Sequence, residues 1–185
     1  DESIPMHWVP GNHDIAFDTV IPTEESIAAY RVRFGPDRYA FDHRGVAFLV
    51  ANTVVWDHPE EAGEAWSEEV TWLERQLEAA VGRGSRHIIV FGHHPLFTAH
   101  PDEDDTYWNI PGERRRLLID LFTTYGVGTM LCGHWHRNGG GSAGDLDVLV
   151  TGAVGYPLGN DPSGLRIVDV GADDIEHEYV ALEDL

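Results

Sequence analysis

Three short turns collect residues able to ligate metal: GNHD at 11–14, GHHP at 92–95 and GHWH at 133–136. Five of the eleven histidines fall in them, which a random scatter would rarely produce. Imidazole nitrogens with amide or carboxylate oxygens suit Mn, Fe or Zn, whereas a calcium site would be all oxygen. His134 and His136 stand one residue apart, so each can reach a different ion. Two ions about 3.5–4 Å apart can clamp a phosphate, hold a hydroxide and neutralise the charge of an in-line displacement. A histidine can protonate the leaving oxygen if a carboxylate orients it, and His13 followed by Asp14 has that composition. A single strand-end histidine is more often a hydrogen-bonded loop residue. The three turns together point to metal-assisted chemistry.

Such turns need strands to deliver them. HIIVF (87–91) and VGTMLC (127–132) are apolar, β-branched runs of the kind buried in a sheet, and each ends in glycine and histidine. IPMHWV (4–9) is a short strand candidate running into PGNHD, and RYAFDHRGVAFLVAN predicts two strands joined at Arg44-Gly45. A helix is expected over 23–34, with Thr23 as N-cap and Gly35-Pro36 as the stop. A second runs from Ser67 to Gly82, with Val70, Leu73, Leu77 and Val81 at helical spacing. A third places Leu117, Leu118, Leu121, Phe122 and Tyr125 on its inner face, and three strand-like runs lie between Leu146 and Leu182. Helices and strands alternate first and strands dominate last, which predicts a layered α/β domain with a mixed sheet, one unit over 1–185. In such sheets ligands gather at the C-terminal ends of strands, where loops converge and glycine lets the backbone turn sharply.

At 185 residues and 42% hydrophobic, the chain can bury one sizeable core. No apolar run approaches the roughly 18 residues that span a bilayer, and no signal peptide is visible, so the expectation is a soluble, cytoplasmic protein. A net charge of -20 repels phosphate backbones and disfavours nucleic-acid binding. All basic residues are arginine, which fits either a high-salt cytoplasm or a GC-rich genome. The lone Cys132 ends an apolar run and reads as a buried structural thiol.

GNHD, GHHP and GHWH, in that order, resemble the later signature blocks of the calcineurin-like metallophosphoesterase superfamily. VPGNHDI, HPDEDDTYWNI, CGHWHRNGGG and LGNDPSGLRIV are further similar to a branch regarded as phosphoprotein phosphatases. The resemblance implies that Asn12, His93 and His134 bind the second of two divalent or trivalent ions and that His136 binds the first. It implies that His13 stabilises the transition state or protonates the leaving group, with Asp14 as its orienting partner. His94 is then a neighbour of the site, and Arg137 and Asn138 serve as turn cap or ion pair as readily as phosphate contacts.

Two earlier blocks of that superfamily, Asp-x-His and Gly-Asp-x-x-Asp/Asn, have no counterpart; FDH (41–43) and DH (57–58) have the wrong spacing, and GDLD (144–147) lacks the required fifth residue. The chain therefore reads as the C-terminal part of a longer phosphoesterase, its site completed by an N-terminal segment. The expected reaction is metal-dependent hydrolysis of phosphate monoesters, on phosphoprotein or small esters. Hydrolysis of cyclic-nucleotide or lipid-derived diesters is the alternative, and a catalytically incomplete metal-binding module is the rival from another class. His7 and Trp8 read as packing residues, His43, His58, His87 and His177 as surface or turn residues, and Arg114 to Arg116 as a solvated helix face. Tyr107 and Trp108 could line a substrate groove, while the acid run around them is simplest as solvated.

Overall fold

Strand β2 (Val46–Val50), strand β3 (His87–Phe91) and strand β4 (Thr129–Cys132) are short and almost wholly apolar, as central strands covered on both faces must be. A computed structural model, describing residues 4–16 and 21–185, places them side by side and parallel. They belong to a six-stranded mixed sheet of order β1-β2-β3-β4-β6-β5. Strand β1 (Tyr39–His43) and strand β5 (Gly139–Ala143) are its antiparallel edges, and strand β6 (Leu146–Val150) is parallel to β4. The β1–β2 turn falls at Arg44 and Gly45, both at positive φ, as the right-handed twist of a tight hairpin requires. Strand β7 (Gly164–Val170) and strand β8 (Ile175–Ala181) form a separate two-stranded ribbon.

The register places the turns. Phe91 lies opposite Leu131, and the ladder runs on past the strands through Gly92 N to Leu131 O and Gly133 N to His93 O, each 3.0 Å. GHHP and GHWH must therefore leave the sheet as neighbours. Thr53, just beyond β2, joins them because β2 is parallel to β3.

Short helix α1 (Asn12–Ile15) carries the first turn, and a second four-residue helix α3 spans Val54–Asp57. Helix α2 (Glu24–Phe34) is capped by Thr23, whose hydroxyl accepts from Ser26 N at 3.1 Å while Ser26 Oγ accepts from Thr23 N. Helix α4 (Ala65–Gly82) buries Leu73, Leu77 and Ala80; helix α5 (Gly112–Thr124) buries Leu118 and Phe122. These stripes meet Ala47, Leu49, Ile88, Val90, Met130 and Val148 of the sheet in one apolar core that also holds Trp56 and Cys132. The result is the layered mixed α/β architecture expected from the pattern of elements. Among the described residues, no helix is long and apolar enough to cross a membrane.

Several local expectations are corrected. Residues 4–9 form no strand: Pro5 lacks a donor N–H, and His7 packs its ring on Phe41 at 3.8 Å instead of joining a ladder. β5 was not foreseen because GGGSA carries no strand composition, yet its glycines fit where side chains would not, Gly139 lying against Trp135 and Gly141 against Ala99 O. Helix α4 starts two residues before Ser67, and Val81 and Leu117 are exposed because helical phase carries them past the buried stripe. Arg115 is only 2% exposed, not solvated; its Nη2 donates to Glu103 O beneath the 100–110 loop. Arg114 likewise turns inward and donates to the carbonyls of Trp56 and Asp57.

Candidate metal centre

The ends of β3 and β4 bring His93 and His134 together, and Asn12 reaches them from the start of α1. Asn12 Oδ1 lies 2.8 Å from His93 Nε2, which lies 3.1 Å from His134 Nδ1. Neutral imidazole carries one lone-pair nitrogen and an amide oxygen is an acceptor, so this is a convergence of atoms that seek a cation or a shared proton. Two nitrogens bound at about 2.1 Å and at right angles would be about 3.0 Å apart. The 3.1 Å spacing of His93 Nε2 and His134 Nδ1 therefore fits two nitrogens on a single ion, with Asn12 Oδ1 beside His93.

His134 is held from its other side, with Nε2 2.9 Å from the carbonyl of Tyr107. A carbonyl only accepts, so Nε2 carries the proton and Nδ1 presents its lone pair, the usual outer support of a metal-bound histidine. His136 is braced the same way, its Nδ1 lying 2.8 Å from Tyr156 O, which leaves Nε2 as its lone-pair nitrogen. Both histidines have positive φ, 64° for His134 and 55° for His136. Such backbone costs on the order of 1–3 kcal/mol at a non-glycine residue and persists where the surroundings impose it, typically at functional sites.

Burial, then the neighbouring histidines, press the pKa of His93 down to about 3. The same causes, in the same order, hold His94 well below the ordinary value. Burial likewise lowers His134, against the bond it donates to the Tyr107 carbonyl. All three imidazoles are neutral near pH 7 and available as ligands. The ligand atoms of His93, His94 and His134 lie within 4.8 Å of one another. We favour Asn12 over His94 as the third donor, because His94 Nδ1 faces Thr53 Oγ1 at 3.3 Å and its Nε2 faces Asp57 Oδ2 at 3.7 Å.

His13 and Asp14 follow Asn12 on the exposed side of α1, and the nearness of His136 and then His13 adds to the effect of burial in lowering the pKa of His93 and His134. Asp14 does not face His13 in any hydrogen bond among the described residues; its Oδ2 accepts from Gly11 N at 2.8 Å. That bond folds the turn tightly onto His93, so a Cβ on Gly11 would sit 3.2 Å from the imidazole. Arg137 lies 5.8 Å from the Trp135 ring, and Asn138 bonds Asp161, Gly152 and Arg166, so both support the surrounding turns.

Sequence reasoning missed Thr53. Its buried hydroxyl accepts from both His93 N, at 3.0 Å, and His94 N, at 2.8 Å. The available signal was its place three residues beyond an apolar strand, close to where the histidine turns leave β3 and β4. It also missed Glu103, read as solvated: its carboxylate accepts from Thr98 N, Ala99 N, His100 N and Asn109 Nδ2. Burial raises the pKa of Glu103, but these bonds outweigh it and hold the group below its ordinary value. The knot they form shapes the loop that presents Tyr107 to His134.

Residues 1–138 match the family described as calcineurin-like phosphoesterase. Over its whole length the chain is 40% identical to the human (Homo sapiens) serine/threonine-protein phosphatase CPPED1, and 38% identical to the zebrafish (Danio rerio) protein of that name. It spans 58% and 59% of those two proteins, so it is shorter than both. A solved structure titled GAP50, the anchor in the inner membrane complex of Plasmodium, matches 78% of this chain and 50% of its own, with a TM-score of 0.63 at 16% identity. At that identity the likeness is one of fold.

Proposed function

Starting from the fact that this chain belongs to the calcineurin-like phosphoesterase family, we propose that it hydrolyses phosphate monoesters, on phosphoprotein or small esters, with bound Mn, Fe or Zn. The convergence of Asn12 Oδ1, His93 Nε2 and His134 Nδ1 carries the reading. When bound, such ions polarise the phosphoryl group and lower the pKa of water. Asn12, His93 and His134 hold one ion, and His136 offers Nε2 to another. His13, exposed on α1, gives its proton to the leaving oxygen; Asp14 positions the turn through Gly11 N. The named relatives are serine/threonine phosphatases, which supports a phosphoprotein substrate. We place the remaining ligands of the ion that His136 would bind in the part of the relatives' length that this chain does not span.

Metal analysis with monoester and diester substrates, such as 4-nitrophenyl phosphate and bis(4-nitrophenyl) phosphate, tests the proposal. Monoester turnover that chelation abolishes is expected; turnover of diesters alone would overturn it. A second reading follows from the lack of Asp-x-His and Gly-Asp-x-x-Asp/Asn blocks in these 185 residues: acting by themselves, they hold at most one weakly bound ion and show negligible turnover. Two tightly bound ions and rapid hydrolysis by this chain alone would refute that reading.

A further inference from the structure

Tyr107 is anchored more firmly than a half-exposed loop residue needs to be for packing. Its carbonyl receives His134 Nε2 at 2.9 Å, and its hydroxyl lies 3.4 Å from Asn12 Nδ2. Both flanking amides are locked, Thr106 N to Asn109 Oδ1 at 2.9 Å and Trp108 N to Thr106 Oγ1 at 3.1 Å. Asn109 is 1% exposed and is itself tied to Glu103 and to the carbonyl of Asp104. The ring centroid stands 4.9 Å from that of His134 and meets Trp108 edge to face at 4.8 Å. Yet the side chain keeps half its surface open to solvent.

The proton count at the phenol gives this anchorage a purpose. Asn12 Oδ1 is turned toward His93, so its Nδ2 is the group facing Tyr107, and an amide nitrogen only donates. The phenol oxygen is then the acceptor of that bond, and its own O–H is left to donate outward, beside the candidate metal centre. Among the described residues, no arginine is hydrogen-bonded to Asn12, His93 or His134, and there is no lysine in the chain. A fixed neutral donor is well suited to an anion in a protein of net charge -20. We propose that Tyr107 is a substrate-contacting residue whose hydroxyl donates to an oxygen of the phosphoryl group, with Asn109 and Glu103 as its positioning residues. This inference rests on the phosphoesterase reading above.

Tyr107→Phe in the full chain separates the roles, because it removes the hydroxyl while the carbonyl that braces His134 remains. Orthophosphate binding to the Mn-loaded protein by calorimetry, Mn stoichiometry and monoester hydrolysis should be measured on both proteins. Orthophosphate affinity and kcat/KM are expected to fall about ten- to hundred-fold at unchanged Mn stoichiometry. Unchanged orthophosphate affinity would overturn the proposal. So would loss of Mn, which would make the phenol a support for Asn12 only. A wild-type protein that binds orthophosphate more tightly than Tyr107→Phe but hydrolyses nothing would refute the phosphoesterase reading and leave the Tyr107 contact standing.

Discussion

Replacing Thr53 by valine should loosen the centre from beneath. The shapes are nearly the same, so no cavity opens, but the acceptor of two buried amides is lost. Thr53 is fully buried, and its Oγ1 accepts from His93 N at 3.0 Å and His94 N at 2.8 Å. Each buried donor left without a partner costs about 1–3 kcal/mol, so the pair costs about 2–6 kcal/mol before relaxation. We expect about 3 kcal/mol, because the turn can shift to recover part of one bond. In a chain of this size that lowers Tm by about 6–12 °C. Thr53→Ser is the control: it keeps the acceptor and removes only the methyl, at about 1 kcal/mol. That methyl packs where a Cβ on Gly92 would collide with it. Urea denaturation of both variants without metal, comparing midpoints at equal slope, reads the difference directly. If Thr53→Val is within about 1 kcal/mol of wild type, or Thr53→Ser is the worse of the two, the hydroxyl does not hold the turn.

His134→Ala should weaken Mn binding by at least ten- to hundred-fold, measured by equilibrium dialysis; unchanged affinity would exclude it as a ligand. Glu69 is 1% exposed, and burial pushes its pKa up to about 7 against the pull of Arg38 and Asn52 N. The folded state thus holds a proton that the unfolded state releases above about pH 4.5, so this group lowers stability as pH rises from about 4.5 to 7, by at most about 3 kcal/mol. Glu69→Gln removes that slope, and its stability relative to wild type should improve from pH 5 to 7.5; a constant difference would contradict the assignment. Glu103→Gln should speed hydrogen exchange at residues 98–109 while leaving the amides of β3 and β4 protected, because its carboxylate ties the loop and not the sheet. Equal protection of the loop in both proteins would refute the knot.

The turns at 92–95 and 133–136 were legible as strand ends because their signal is local: an apolar run, then glycine, then groups able to ligate a metal. The α2 cap and the β1–β2 turn were legible for the same reason, since Thr23 and Arg44-Gly45 act within a few residues of themselves. Composition misled where tertiary contact overrode it. GGGSA pairs as an edge strand because its neighbours admit only glycine, and Arg115 and Glu103 are drawn inward although their types favour solvent.

Residue identity and order were enough to say which side chains could form a centre and, for His93 and His134, at which strand ends. The fold then determined which atoms meet. Parallel pairing of β3 with β4 aligns His93 with His134 across forty-one residues of chain. The Tyr107 carbonyl selects Nδ1 of His134, the Tyr156 carbonyl selects Nε2 of His136, and Thr53 supports the turn from the neighbouring strand. A hydrogen bond joins atoms within about 3 Å, and residues so far apart in sequence reach that distance only once the sheet order and register are set.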